Sequence, residues 1–99
     1  SDKIFEQTLK AENQKMLEKF FEFEDGKAVK LKRFPGREKQ KVVVIREISK
    51  SIESGKKYSE KEINSVIKNF FDDYVTLRRY LIEYGFLDRK KDGSEYWLK

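Results

Sequence analysis

The chain has no cysteine, no histidine, a single proline and no long hydrophobic run. Without cysteine there is no disulfide framework, no thiolate zinc site and no cysteine nucleophile. Without histidine the usual general base and the commonest transition-metal ligand are gone. No apolar stretch approaches the roughly 18–20 residues of a membrane span, and no signal-peptide core is visible. The sequence starts at Ser1 rather than Met, so it reads as a soluble, cytoplasmic domain of a longer protein, with no membrane partner. Glycine-rich phosphate loops are also missing. Carboxylates are plentiful but no pair is singled out: Asp72 and Asp73 are adjacent, so their side chains point in different directions. An active site would have to be built from Asp, Glu, Lys or Tyr alone; no enzyme, no cofactor and no metal is expected.

What remains is 99 residues with 37% hydrophobic and 41% charged side chains. That length makes one domain, able to bury about 60–65% of its unfolded surface. So lean an apolar share needs large side chains, and eight Phe with five Tyr supply them. The net charge of +5 favours a polyanionic partner without requiring one.

Phe5, Leu9, Met16, Leu17, Phe20 and Phe21 recur at three- and four-residue spacing, predicting an amphipathic helix over residues 2–21. Asp25-Gly26 signals a turn, Ala28–Lys32 alternates as a short strand would, and Pro35-Gly36 breaks it. A second helix is expected over about 37–54, with Val42, Ile45, Ile48 and Ile52 on one stripe, although the run Val42–Ile45 fits a strand equally well. Ser59 with Glu62 three residues later is a capping box, opening a third helix over about 60–71. Asp72 or Asp73 caps a fourth, over about 73–84, and Gly85 stands at its left-handed stop. A hairpin over about 86–98 turns through Lys91-Asp92-Gly93-Ser94, and Lys57-Tyr58 is placed to pair with it.

Helix, glycine stop and basic hairpin in that order predict an α+β, mostly helical fold: a winged helix-turn-helix core over 36–99. Residues 1–35, an added N-terminal helix and short strand, are expected to pack alongside or to form half of a homodimer seam. On the fourth helix Tyr74, Leu77, Leu81 and Tyr84 share one side, leaving Thr76 and Arg79 on the other and Arg78 on a flank. An arginine there can read guanine bidentately; the plainer reading has Arg78 bridging Asp73 or Glu83 and Arg79 solvated. Arg89, Lys90 and Lys91 on the hairpin suit phosphate contacts, or simply keep a sheet edge from aggregating. The run Lys27–Lys41 holds Lys30, Lys32, Arg33, Arg37 and Lys39 against Glu38. It reads as a solvated face, because one aromatic, Phe34, makes no stacking platform. Asp72, Asp73, Glu83 and the outward Val75 and Ile82 make the fourth helix less cationic than a dedicated DNA reader, and would suit a protein partner.

The stretch from Lys19 to Trp97 resembles an uncharacterised bacterial domain family found in predicted transcriptional regulators. Its recurring elements stand here as Phe20-Phe21, Phe34-Pro35, Tyr58–Glu62, Asp73, Leu77-Arg78-Arg79, Tyr84-Gly85, Asp88-Arg89 and Asp92–Trp97. The resemblance starts at about Leu17 and implies the C-terminal part of a regulator, sometimes following a separate helix-turn-helix domain. Phe71 stands where many members place His. The block Thr76–Arg89 is similar to the recognition helix of DeoR-type sugar-operon repressors, T-x-R-R-D-L before a glycine and a basic wing, with Tyr80 in place of the Asp. That similarity implies DNA contacts by Thr76, Arg78 and Arg79. The expectation is therefore a domain of a bacterial transcriptional regulator that binds double-stranded DNA. The alternative is a protein-interaction or effector-sensing module of a regulator whose DNA binding lies elsewhere.

Overall fold

Asp25 and Gly26 both hold positive φ, 50° and 76°, the backbone of a two-residue type I′ turn, which matches the twist of the strands it joins. Around it the structure, a computed structural model describing residues 2–99, forms a hairpin of β1 (Phe21–Glu24) and β2 (Lys27–Leu31). Among the described residues the fold is α+β and roughly half helical, with four helices and two separate two-stranded antiparallel sheets. It divides into two compact units, Ser1–Val44 and Ile45–Lys99.

In the first unit α1 (Asp2–Phe20) leads directly into β1. The expected helix therefore stops one residue early, and a strand stands where none was foreseen. Phe-Glu-Phe-Glu is a period-2 pattern, and Phe21 takes the buried side at 2% exposure. The pairing slips once, between Glu22 and Phe23, a bulge that re-aims the strand. The apolar stripe of α1 is buried only at its end: Leu17 and Phe20 are covered, whereas Ile4, Phe5 and Leu9 are exposed. The β-branched run Val42–Ile45 is helical, inside α2 (Glu38–Ser49).

That helix ends five residues before the expected Ser54. The Ser49 and Ser51 hydroxyls donate to the carbonyls of Arg46 and Ile48, each at 2.6 Å, drawing the backbone away from a continued helix. The amides of Lys50, Ser51 and Ile52 accordingly reach back only three residues.

In the second unit α3 (Glu60–Lys68) opens on the foreseen capping box. The Ser59 amide donates to Glu62 Oε1 at 2.8 Å, and the Glu62 amide to Ser59 Oγ at 3.1 Å. Residues 69–71, read as helix, form the turn that lets Asp73 cap α4 (Tyr74–Glu83). Gly85, at φ 81°, then ends α4 in a Schellman motif: its amide donates to the Ile82 carbonyl and that of Phe86 to the Leu81 carbonyl. Strands β3 (Leu87–Arg89) and β4 (Tyr96–Leu98) follow, with Leu87 opposite Leu98 and Arg89 opposite Tyr96. Tyr58 adds a bridge to Tyr96, with both amide–carbonyl bonds at 2.8 Å. Ile45, Ile48, Ile63, Ile67, Leu77, Leu81 and Leu87 form the buried interior of this unit, and α4 packs against both α3 and β3.

Candidate nucleic-acid interface

Leu77 and Leu81 are fully buried, which fixes the rotation of α4 and turns Val75 and Arg79 outward. Val75 is 53% exposed. Thr76 is half-buried and already engaged: its amide and hydroxyl donate to the two carboxylate oxygens of Asp73 at 3.3 and 2.7 Å. The N-cap is thus Asp73 rather than Asp72, and Thr76 completes it.

Arg78 turns to Glu60 and Asn64 rather than to Asp73 or Glu83. Its side chain is only 18% exposed. Nη1 donates to Asn64 Oδ1 at 2.5 Å and lies 3.4 Å from Glu60 Oε1, while the guanidinium sits 5.7 Å above the centre of the Tyr96 ring. One side chain thereby ties α4 to α3 and to β4. Arg79 next to it is exposed, with its guanidinium 5.3 Å from the Tyr80 ring.

The hairpin tip is built around its own charges. Arg89 Nη1 donates to the carbonyls of Lys90 and Lys91, both at 3.3 Å. Lys90 pairs with Glu95 at 3.1 Å, an exposed contact of the kind worth little. Asp92 accepts the hydroxyl and amide of Ser94 at 2.6 and 2.9 Å. Those two bonds, the hydroxyl first, hold its carboxyl below the usual aspartate range. Gly93 supplies the φ of 74° that closes the turn. Lys91 is exposed.

Between α4 and the hairpin lies an open cleft of about 450 Å³ that collects Arg78, Arg79 and Arg89. Glu60 and Asp92 also line it, as do Val75 and Ile82. Three cations against two carboxylates leave the cleft mildly positive, with an apolar strip on the α4 side. Of the six residues singled out from sequence, the cleft gathers these three arginines; Thr76, Lys90 and Lys91 lie outside its lining. Sequence reasoning missed Glu60, Asn64 and Tyr96 as partners of Arg78. Glu60 and Asn64 are spaced i, i+4, so they share one face of α3, and that polar pair was the available signal. Among the described residues no group of three or more carboxylates is placed to hold a metal ion, and no helix is long and apolar enough to cross a membrane.

Fold and cleft together define a small α+β domain with a mildly basic helix–hairpin face. The chain belongs to DUF2087, an uncharacterised protein family conserved in bacteria, whose profile matches residues 30–98. The match begins at Lys30, well after Leu17, so α1 and β1 lie outside it. No curated protein and no solved structure matches the chain.

Proposed function

We propose that the second unit is a winged helix that binds duplex DNA as part of a cytoplasmic bacterial transcriptional regulator, with α4 in the major groove and the β3–β4 hairpin as the wing. The observation that carries this reading is the cleft where exposed Arg79 on α4 and exposed Arg89 on the hairpin face the same space. The order α3, α4, hairpin, with Tyr58 as a third short strand, supports it, as does the basic turn. In this reading Arg79 meets base edges and Thr76 lies beside it at the start of α4. Arg89, Lys90 and Lys91 meet phosphates. Arg78, held by Glu60 and Asn64, acts by fixing α4 against α3 rather than by touching DNA.

One observation favours a second reading. Val75, 53% exposed, and Ile82 form the apolar strip of the cleft beside Glu60 and Asp92, a lining suited to a protein segment.

The test is fluorescence anisotropy of a labelled random-sequence duplex titrated with the whole chain from low to moderate salt. Duplex binding predicts micromolar affinity at low salt and a log–log salt slope of about −3 to −5, from roughly four or five phosphates. Lys90→Ala with Lys91→Ala weakens every sequence alike, whereas Arg79→Ala blunts discrimination at one or two base pairs. Absence of binding at low salt refutes the DNA reading and leaves the apolar strip as the functional surface.

A further inference from the structure

The first unit has a cleft of its own, of about 400 Å³, independent of the proposed DNA contacts. Lys19 at the end of α1, Arg33 and Arg37 in the segment leading to α2, and Gln40 in the first turn of α2 surround it, with Phe34 and Pro35 as apolar wall. No carboxylate is among its lining residues. Nor does any described carboxylate lie within ion-pair distance of Lys19, Arg33 or Arg37. The contrast with the α4–hairpin cleft is instructive, because there Glu60 and Asp92 offset the arginines. Like charges are costly to gather in one concavity unless a counter-charge joins them.

The geometry favours a particular kind of counter-charge. Arg33 is stacked over Phe20, its guanidinium 5.1 Å from the ring centre, which pre-orients its planar fork of donors. Arg37 occupies the cap position of α2, its carbonyl taking the Lys41 amide at 2.9 Å, so its side chain leaves from the positive end of a twelve-residue helix. Forked arginines beside a helix start suit a tetrahedral oxyanion. Three cations suit a dianion better than a carboxylate, and the wall of Phe34 and buried Pro35 gives an apolar body something to lie against. The volume falls in the range of small-ligand sites, about 300–1,000 Å³. Sequence alone suggested a solvated face here, because Phe34 was the single aromatic in the run; the fold adds Lys19 and Phe20 from α1.

We propose that this cleft of the first unit binds a small phosphate monoester with an apolar or ring-bearing body. The phosphate sits among Lys19, Arg33 and Arg37 with Gln40 as a neutral donor, and the organic part lies along Phe34 and Pro35.

Amide-resolved NMR titration of the whole chain at low salt tests this with three probes: phenyl phosphate, inorganic phosphate and phenol. Phenyl phosphate should shift the Gly36 amide and the Gln40 side-chain amide saturably, with a Kd of about 0.1–1 mM for so small a ligand. Inorganic phosphate should bind the same place about tenfold more weakly, and phenol should not shift these signals. Binding should strengthen between pH 5 and 7.5, as the ester loses its second proton near pH 6. Arg37→Ala, and separately Lys19→Gln, should each weaken phenyl phosphate about fivefold, with the rest of the spectrum certifying the fold. Unshifted Gly36 and Gln40 signals, an equal response to phenol, or an unchanged Kd in both variants would overturn the proposal. So would displacement of phenyl phosphate by duplex DNA at matched phosphate concentration, which would make the cleft a nucleic-acid contact instead.

Discussion

Replacing Arg78 by Ala should cost far more stability than replacing Arg79, although the two are neighbours in sequence with the same charge. Arg78 donates a short hydrogen bond to Asn64, and a bond with one charged partner contributes about 1.5–3 kcal/mol. Its ion pair with Glu60 adds about 0–1 kcal/mol, since that carboxylate side chain is 55% exposed. The approach to the Tyr96 ring adds about 0.5–1 kcal/mol. These terms overlap, so Arg78→Ala should lose about 2–4 kcal/mol, a large share of the 5–15 kcal/mol that holds a typical domain. Tm should drop by about 10–20 °C in a chain of this size. Arg79, exposed and with its guanidinium 5.3 Å from the Tyr80 ring, should change stability by about 0.5 kcal/mol or less on the same substitution. Urea unfolding followed by circular dichroism measures both, and a cycle with Asn64→Ala should show coupling of about 1 kcal/mol. If the two arginine variants unfold within about 0.5 kcal/mol of each other, the assignment of Arg78 as the tie between α3, α4 and β4 is wrong.

Gly85→Ala should destabilise by about 1–2 kcal/mol, the cost of a left-handed backbone at a residue with a side chain. A Cβ there meets nothing within 4 Å, so the loss is conformational. Gly36→Ala, also without a neighbour within 4 Å but lacking the positive φ, should be near neutral in the same unfolding assay. Ser59→Ala should cost about 1 kcal/mol through the lost cap of α3, read from the same denaturation curves. Glu62 titrates below its ordinary value of 4.5 because the Ser59 amide and then its hydroxyl donate to the carboxylate. A depressed folded-state value stabilises above the unfolded value and is lost as pH falls through the folded one. The unfolding midpoint of the wild type should therefore fall more than that of Glu62→Gln on acidification below about pH 4.5; parallel falls would refute the linkage.

The elements legible in the sequence are those whose cause is local. Ser59 and Glu62 satisfy each other's backbone donors three residues apart, Gly85 is needed where φ turns positive, and Asp25-Gly26 is a two-residue turn; each signal lies inside a short window. The pairing of Tyr58 with the hairpin was also legible, because a short aromatic segment between two helices has few other edges to join. Strand β1 was overlooked because its phenylalanines also fit the tail of the preceding helix period. The end of α2 depends on serine hydroxyls competing for carbonyls, which periodicity does not register. At the candidate site, sequence picked out the arginines but not what Arg78 does: Asn64 and Glu60 lie fourteen and eighteen residues before it, and tertiary packing alone brings them together. The cleft at Arg33 and Arg37 was out of reach for the same reason, since Lys19 and Phe20 come from another element.

Tyr58 is bound through amide and carbonyl to Tyr96, accepts the Glu53 amide on its hydroxyl at 2.9 Å, and immediately precedes the Ser59 cap. Three-residue strands are too short to persist alone, so the hairpin depends on this clasp, and the clasp is fastened to the first turn of α3. Loosening the hairpin must therefore release the start of α3 in the same event. The amide protons of Tyr58, Tyr96 and Glu62 should exchange with solvent as one cooperative group. A molecule that grips the hairpin tip would slow all three together, so that a contact on the hairpin is read out at the start of α3.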